Sequence, residues 1–145
     1  MPLVSARLTD PDFGFTVADV TGNTISLDIP ADQGGKGKGF RPMQTVLAAL
    51  CGCSGVDIIS ILKKQRQSFD QLEIFVDGER EAGKEPSLWK TLQITFSITG
   101  PLDPSKAYRA AALSINKYCS VAETLRRAGA DIQFSVLVNG QAHTE

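Results

Sequence analysis

Histidine is almost missing from this sequence. Of 145 residues only His143 is one, and it lies in a polar tail with Gln141, Ala142, Thr144 and Glu145. With no second histidine and no Cys-x-x-Cys spacing, a zinc site lacks ligands. Ser-His-Asp and Cys-His catalysis are equally short of a base. Cysteine is also sparse. Cys51, Cys53 and Cys119 do not make a structural disulfide framework in a chain that looks cytosolic. No cluster of Lys and Arg with interleaved aromatics occurs, and the formal net charge is −1, so no nucleic acid or membrane surface is expected as a partner. The start, Met1 to Arg7, lacks the apolar core of a secretory signal. The longest apolar stretch, Val46 to Leu62, is broken by Ser54, Asp57 and Ser60, short of the ~18 uninterrupted apolar residues of a membrane span. The expectation is a cytoplasmic protein with no metal and no cofactor. Its chemistry would come from thiols, carboxylates and arginines. No repeat or second domain is visible, so residues 1–145 read as one domain with one core.

What is there reads as strands, a long helix, strands, two helices and a strand. Phe13–Val20 and Thr24–Ile29 alternate with period two across the turn Thr21-Gly22-Asn23, predicting a hairpin. Asp32–Gly39 is too rich in glycine for a regular element. It lacks the Lys-Ser/Thr ending of a P-loop, so a mobile connector is expected rather than a phosphate cradle. Pro42 suits the first turn of a helix. Apolar residues at three- and four-residue spacings then run to about Gln67, ending in Lys63, Lys64 and Arg66, cations suited to a helix C-terminus. The first four turns of this helix are apolar or small on nearly every side, which predicts burial all round and a partner subunit. Gln71–Gly78 and Leu88–Ile98 alternate as strands. Asp103-Pro104 caps a helix through about Lys117, a short helix follows from Cys119-Ser120 to Ala128-Gly129, and Asp131–Val138 is a last strand. The fold class is α+β with mostly antiparallel sheets.

Two residues apart, Cys51 and Cys53 point to opposite sides of a helix and cannot readily share a site. Gly52 and Gly55 between and after them suggest that another backbone passes close. The alternative is two inert core cysteines in a tightly packed helix. Cys119 falls at a helix start, where unpaired amides favour a thiolate and an acidic thiol is expected, unless it is a buried small hydrophobe. Asp57, one turn after Cys53, opposes a thiolate there unless a cation such as Arg41 offsets it. Arg126 and Arg127 read as an exposed helix end.

The segment Arg41-Pro42-Met43-Gln44-Thr45-Val46-Leu47-Ala48-Ala49-Leu50-Cys51-Gly52-Cys53-Ser54-Gly55-Val56-Asp57 and its continuation to Lys64 resembles the central helix of the OsmC/Ohr family. Lys117-Tyr118-Cys119-Ser120-Val121-Ala122-Glu123-Thr124-Leu125 resembles that family's second cysteine segment, and the order of elements is similar across nearly the whole chain. The chain looks nearest to an uncharacterised branch of OsmC-like proteins.

The resemblance implies an OsmC/Ohr-like fold, with antiparallel sheets around a long buried central helix, in an intertwined homodimer. It implies a redox enzyme of the osmotic or oxidative stress type, a peroxidase reducing organic hydroperoxide or hydrogen peroxide. Cys53 would be the peroxidatic cysteine and Cys119 the resolving one, with a dithiol reductant clearing the disulfide. Cys51 falls where the family has a small residue and reads as packing. The family commonly carries a glutamate one or two residues after the proline, where this chain has Met43 and Gln44, and the resemblance does not decide between Arg7 and Arg41 as the counterpart of its N-terminal active-site arginine. Without that carboxylate, the alternative is a non-catalytic OsmC-like protein that binds a small apolar or thiol ligand at the dimer interface.

Overall fold

The computed structural model describes residues 2–145. They form two compact units, the first ending at Ala48 and the second being Ala49–Glu145.

The first unit is a three-stranded antiparallel sheet of β1 (Val4–Leu8), β2 (Phe15–Asp19) and β3 (Thr24–Leu27), in that order. The predicted hairpin is β2–β3. Its turn is organised by Asp19, whose carboxylate accepts from the backbone N–H groups of Thr21 and Asn23 at 2.9 Å each. With the Asn23 side-chain amide these donors hold the Asp19 pKa down at about 2. β1 went unread in the sequence, because Val4-Ser5-Ala6-Arg7-Leu8 is entirely exposed and shows no strong pattern.

The glycine-rich stretch is tied down rather than a free connector. One turn of 3-10 helix, Ala31–Gln33, opens it. The buried Asp28 carboxylate then accepts from the N–H groups of Ile29, Lys36 and Lys38 at 2.8, 3.3 and 3.2 Å. Its amides therefore serve an internal anion. Gly35 has to be glycine, because a Cβ there would collide with the Ile29 carbonyl and the Asp28 side chain.

α1 (Pro42–Lys64) runs from the first unit into the second. Gln44, third in the helix, turns its side-chain oxygen back to the Arg41 N–H at 3.2 Å, as in a capping box. Leu50, Ser54, Gly55, Ile58 and Leu62 are its buried residues, a single stripe at four-residue spacing. The all-round burial expected from the sequence is not found within one chain: Val56 is 68% exposed. By length and composition α1 could cross a membrane, a test that the core helix of a soluble protein also passes.

The second unit holds a four-stranded sheet in the order β4 (Gln71–Arg80), β5 (Trp89–Thr99), β6 (Asp131–Val138) and β7 (Gln141–His143). β4–β5 and β6–β7 are antiparallel like the pairs of the first sheet, so the pairing is mostly antiparallel as expected, and β5–β6 is parallel. The cause lies between them. α2 (Pro104–Leu113), a π turn (Ser114–Tyr118) and α3 (Ser120–Arg127) make a crossover that returns the chain in the same direction. Leu92, Ile94, Phe96 and Ile98 of β5 supply the centre of the core. His143 pairs with Val136 in β7, so the polar tail contributes a strand rather than a free end.

Candidate functional site

The site is built where α1 meets the crossover. α2 begins as its sequence requires, with Asp103 capping the Ser105 N–H at 2.9 Å and Pro104 in the first turn. Ala107, Ala110, Ala111 and Ser114 turn one small-residue face inward and are all buried. At Ser114 the α-helical spacing ends. The Cys119 N–H reaches back five residues to the Ser114 carbonyl at 2.7 Å, closing the π turn. Cys119 then leaves the helical region, with φ −74° and ψ 106°, and becomes the N-cap of α3. Its sulfur accepts from the Ala122 N–H at 3.4 Å.

The structure brings Cys53 and Cys119 together, and the Cys53 thiol acts on Cys119 by hydrogen bonding and by charge. Cys119 is 2% exposed, whereas Cys53 is half-buried. The helix-start position does what the sequence suggested, since the Ala122 and Val121 amides pull the Cys119 pKa down. They lose to stronger effects. Burial raises it first and the neighbouring Cys53 thiol raises it further, so that Cys119 is pushed up to about 11 from an ordinary 9.0. The expectation of an acidic Cys119 is thus reversed, because desolvating a thiolate costs more than two amide dipoles return.

Cys51 behaves as packing. It is half-buried, and burial pushes its thiol pKa up. The glycines beside it do not meet another backbone, as their spacing suggested. A Cβ on Gly52 would meet nothing within 4 Å, and one on Gly55 would touch only the Ile74 side chain at 3.0 Å.

The π turn and α1 share a polar contact that the sequence did not announce. The Ser114 hydroxyl donates to the Asp57 carboxylate at 3.0 Å and lies 3.4 Å from the Ser54 carbonyl. The Ser54 hydroxyl in turn donates to the Leu50 carbonyl at 2.7 Å. Asp57, expected to trouble the Cys53 thiolate, is bound to the π turn by this hydroxyl. A polar residue on the otherwise apolar face Ala107-Ala110-Ala111-Ser114 was the available signal. Asp57 also lines a cleft of about 470 Å³ with Ser60, Ile61, Lys64, Leu113 and Tyr118. Arg126 is no simple exposed end either. Its guanidinium donates to the Ile115 carbonyl at 2.8 Å and pairs with Glu123 at 2.9 Å. Among the described residues, no group of three or more His, Cys, Asp or Glu side chains gathers into a metal-binding set.

The sequence profile of the OsmC-like protein family matches residues 35–135. The chain belongs to the OsmC-like family. That span contains α1, all three cysteines and most of the second sheet. The Escherichia coli K12 protein YhfA is 40% identical over 92 residues, 63% of this chain and 68% of that protein. Among solved structures, a hypothetical protein from Aquifex aeolicus VF5 superposes with a TM-score of 0.76 at 29% identity, covering 94% of this chain and 96% of that one. An organic hydroperoxide resistance protein, OsmC, from Legionella pneumophila superposes with a TM-score of 0.71 at 21% identity, covering 95% and 97%. At that identity the likeness shows the fold alone. The mixed α+β architecture with two sheets and three helices is thus that of OsmC/Ohr structures.

Proposed function

We propose that this OsmC-like protein is a cytoplasmic thiol-dependent hydroperoxide reductase, a homodimer in which Cys53 is peroxidatic and Cys119 resolving. One observation carries the reading: two cysteines from separate segments lie side by side, and the environment holds the proton on Cys119. The thiolate that attacks is accordingly assigned to the more accessible Cys53. It displaces alkoxide, or hydroxide, from the peroxide O–O bond and becomes a sulfenic acid, and the departing oxygen takes up a proton as alcohol or water. The Cys119 thiol then attacks the sulfenic sulfur, water leaves, and a Cys53–Cys119 disulfide remains. A dithiol reductant returns both thiols by exchange.

The dimer is supported by α1. Ala49, Gly52, Val56 and Ser60 are exposed at helical spacing, leaving a small-residue face against which a second copy of the helix can pack. Mass mapping after one equivalent of organic hydroperoxide tests the chemistry. A Cys53–Cys119 link with Cys51 still alkylatable is expected, and the absence of that link sinks the reductase.

A second reading, a non-catalytic protein holding a small apolar or thiol ligand, draws on two facts. Cys119 is weakly acidic, and Gln44, in the region of the missing carboxylate, is engaged in capping α1. It predicts that peroxide leaves both thiols free.

A further inference from the structure

In a continuous α-helix the Ile115 carbonyl would accept from the N–H of the residue four further on, which is Cys119. Here that N–H is taken by the Ser114 carbonyl at 2.7 Å. The π turn therefore displaces the Ile115 carbonyl from its normal partner. A displaced carbonyl that is kept from water needs another donor. Arg126 supplies one at 2.8 Å, from the last turn of α3. Its second arm is held by Glu123 at 2.9 Å, and Glu123 also engages Arg127 at 3.0 Å. Cys119 sits within the loop of chain that this contact closes, between the carbonyl at 115 and the guanidinium at 126.

We propose that Arg126 is a positioning residue for Cys119, acting as a clasp that keeps the π register and so holds the Cys119 sulfur beside Cys53. Burial separates it from its neighbour. The Arg126 side chain is 37% exposed and bridges two elements, whereas Arg127 is 80% exposed and reaches Glu123 on its own helix. When the guanidinium is removed, the cheapest way to satisfy the Ile115 carbonyl is to return the Cys119 N–H to it. That restores α-helical spacing and swings Cys119 by about 100° around the helix axis, away from Cys53. A planar two-armed donor suits the task, and lysine, with a single charged point, can replace only one arm.

The clasp rests on the pairing of the two thiols in the reductase reading, but it can be tested without peroxide. Diamide takes two electrons and two protons from a pair of thiols, giving the disulfide and its own hydrazine. The measurement is the rate of Cys53–Cys119 closure by diamide in the full chain, for the wild type and for Arg126→Gln, Arg126→Lys and Arg127→Gln. Closure in Arg126→Gln is expected to slow roughly tenfold, the size expected when a charge-assisted hydrogen bond is lost. Arg126→Lys should recover part of the rate, and Arg127→Gln should match the wild type. Alkylation of Cys53 in a Cys119→Ser background should be the same with and without Arg126, which general destabilisation would not leave intact. If Arg126→Gln fails to fold, Glu123→Gln frees one arm of the guanidinium and should slow closure by a smaller factor. Wild-type closure in the variant that folds overturns the clasp, as does an equal loss in Arg127→Gln. Where diamide closes the disulfide and hydroperoxide does not, the reductase fails while the clasp is still judged on the diamide rates.

Discussion

The Cys53 thiol lies against Cys119 and raises its pKa. Burial acts on Cys119 in the same direction and more strongly, leaving it with a pKa of about 11. In the proposed cycle this makes resolution depend on deprotonation of Cys119, since a thiol must lose its proton to attack.

Disulfide closure after sulfenate formation should therefore speed up with pH. While the thiolate is the minor form its population grows roughly tenfold per pH unit, levelling off only near the Cys119 pKa. Stopped-flow measurement of closure between pH 6 and 10 checks this. A rate that is flat across that range would show that Cys119 is not the attacking group.

The same shift has a consequence for stability. The folded pKa of Cys119 is raised above its ordinary 9.0, so folding favours the neutral thiol. That contribution is fully present below pH 9.0, and is lost as pH rises through about 11. Chemical denaturation of the reduced protein should show stability falling over this window. Cys119→Ser should flatten the fall.

Ser114 joins Asp57 to the π turn from a fully buried position. Ser114→Ala should cost about 1 kcal/mol, the usual worth of such a bond, by equilibrium denaturation. Disulfide closure by diamide should slow in the same variant, because the turn that presents Cys119 loses its tie to α1.

The two sides of α1 should answer differently to mutation. Ile58 is fully buried, and Ile58→Ala should cost about 2–5 kcal/mol through lost packing and a residual cavity. Val56 is 68% exposed in the chain, and its truncation alone should fall within about 0.5 kcal/mol. Val56→Lys should convert a dimer to monomer in sedimentation. A particle of unchanged mass would mean that this face is not an interface between copies.

Local pattern was enough to read most elements of this fold. Period-two alternation marked β2 to β6, and apolar spacing with Pro42, Asp103-Pro104 and Gly129 marked the three helices within a few residues. These signals survive because each depends on neighbours one to four residues away. β1 and β7 lacked them, being short and mostly exposed. The parallel pairing of β5 and β6 depends on how the crossover returns, which no single strand encodes.

The site divides along the same line. The sequence by itself singled out Cys51, Cys53 and Cys119 as the candidate thiols, separated the first two by helix geometry, and put Cys119 at the start of a helix. Only the tertiary structure decided that Cys119 is buried against Cys53, that its amide donors are outweighed, and that Ser114, Asp57 and Arg126 hold the turn around it. The reason is physical. A thiol's acidity and a carbonyl's partner depend on how much water remains and which charges lie within a few ångströms, and those are set by segments far apart in the chain.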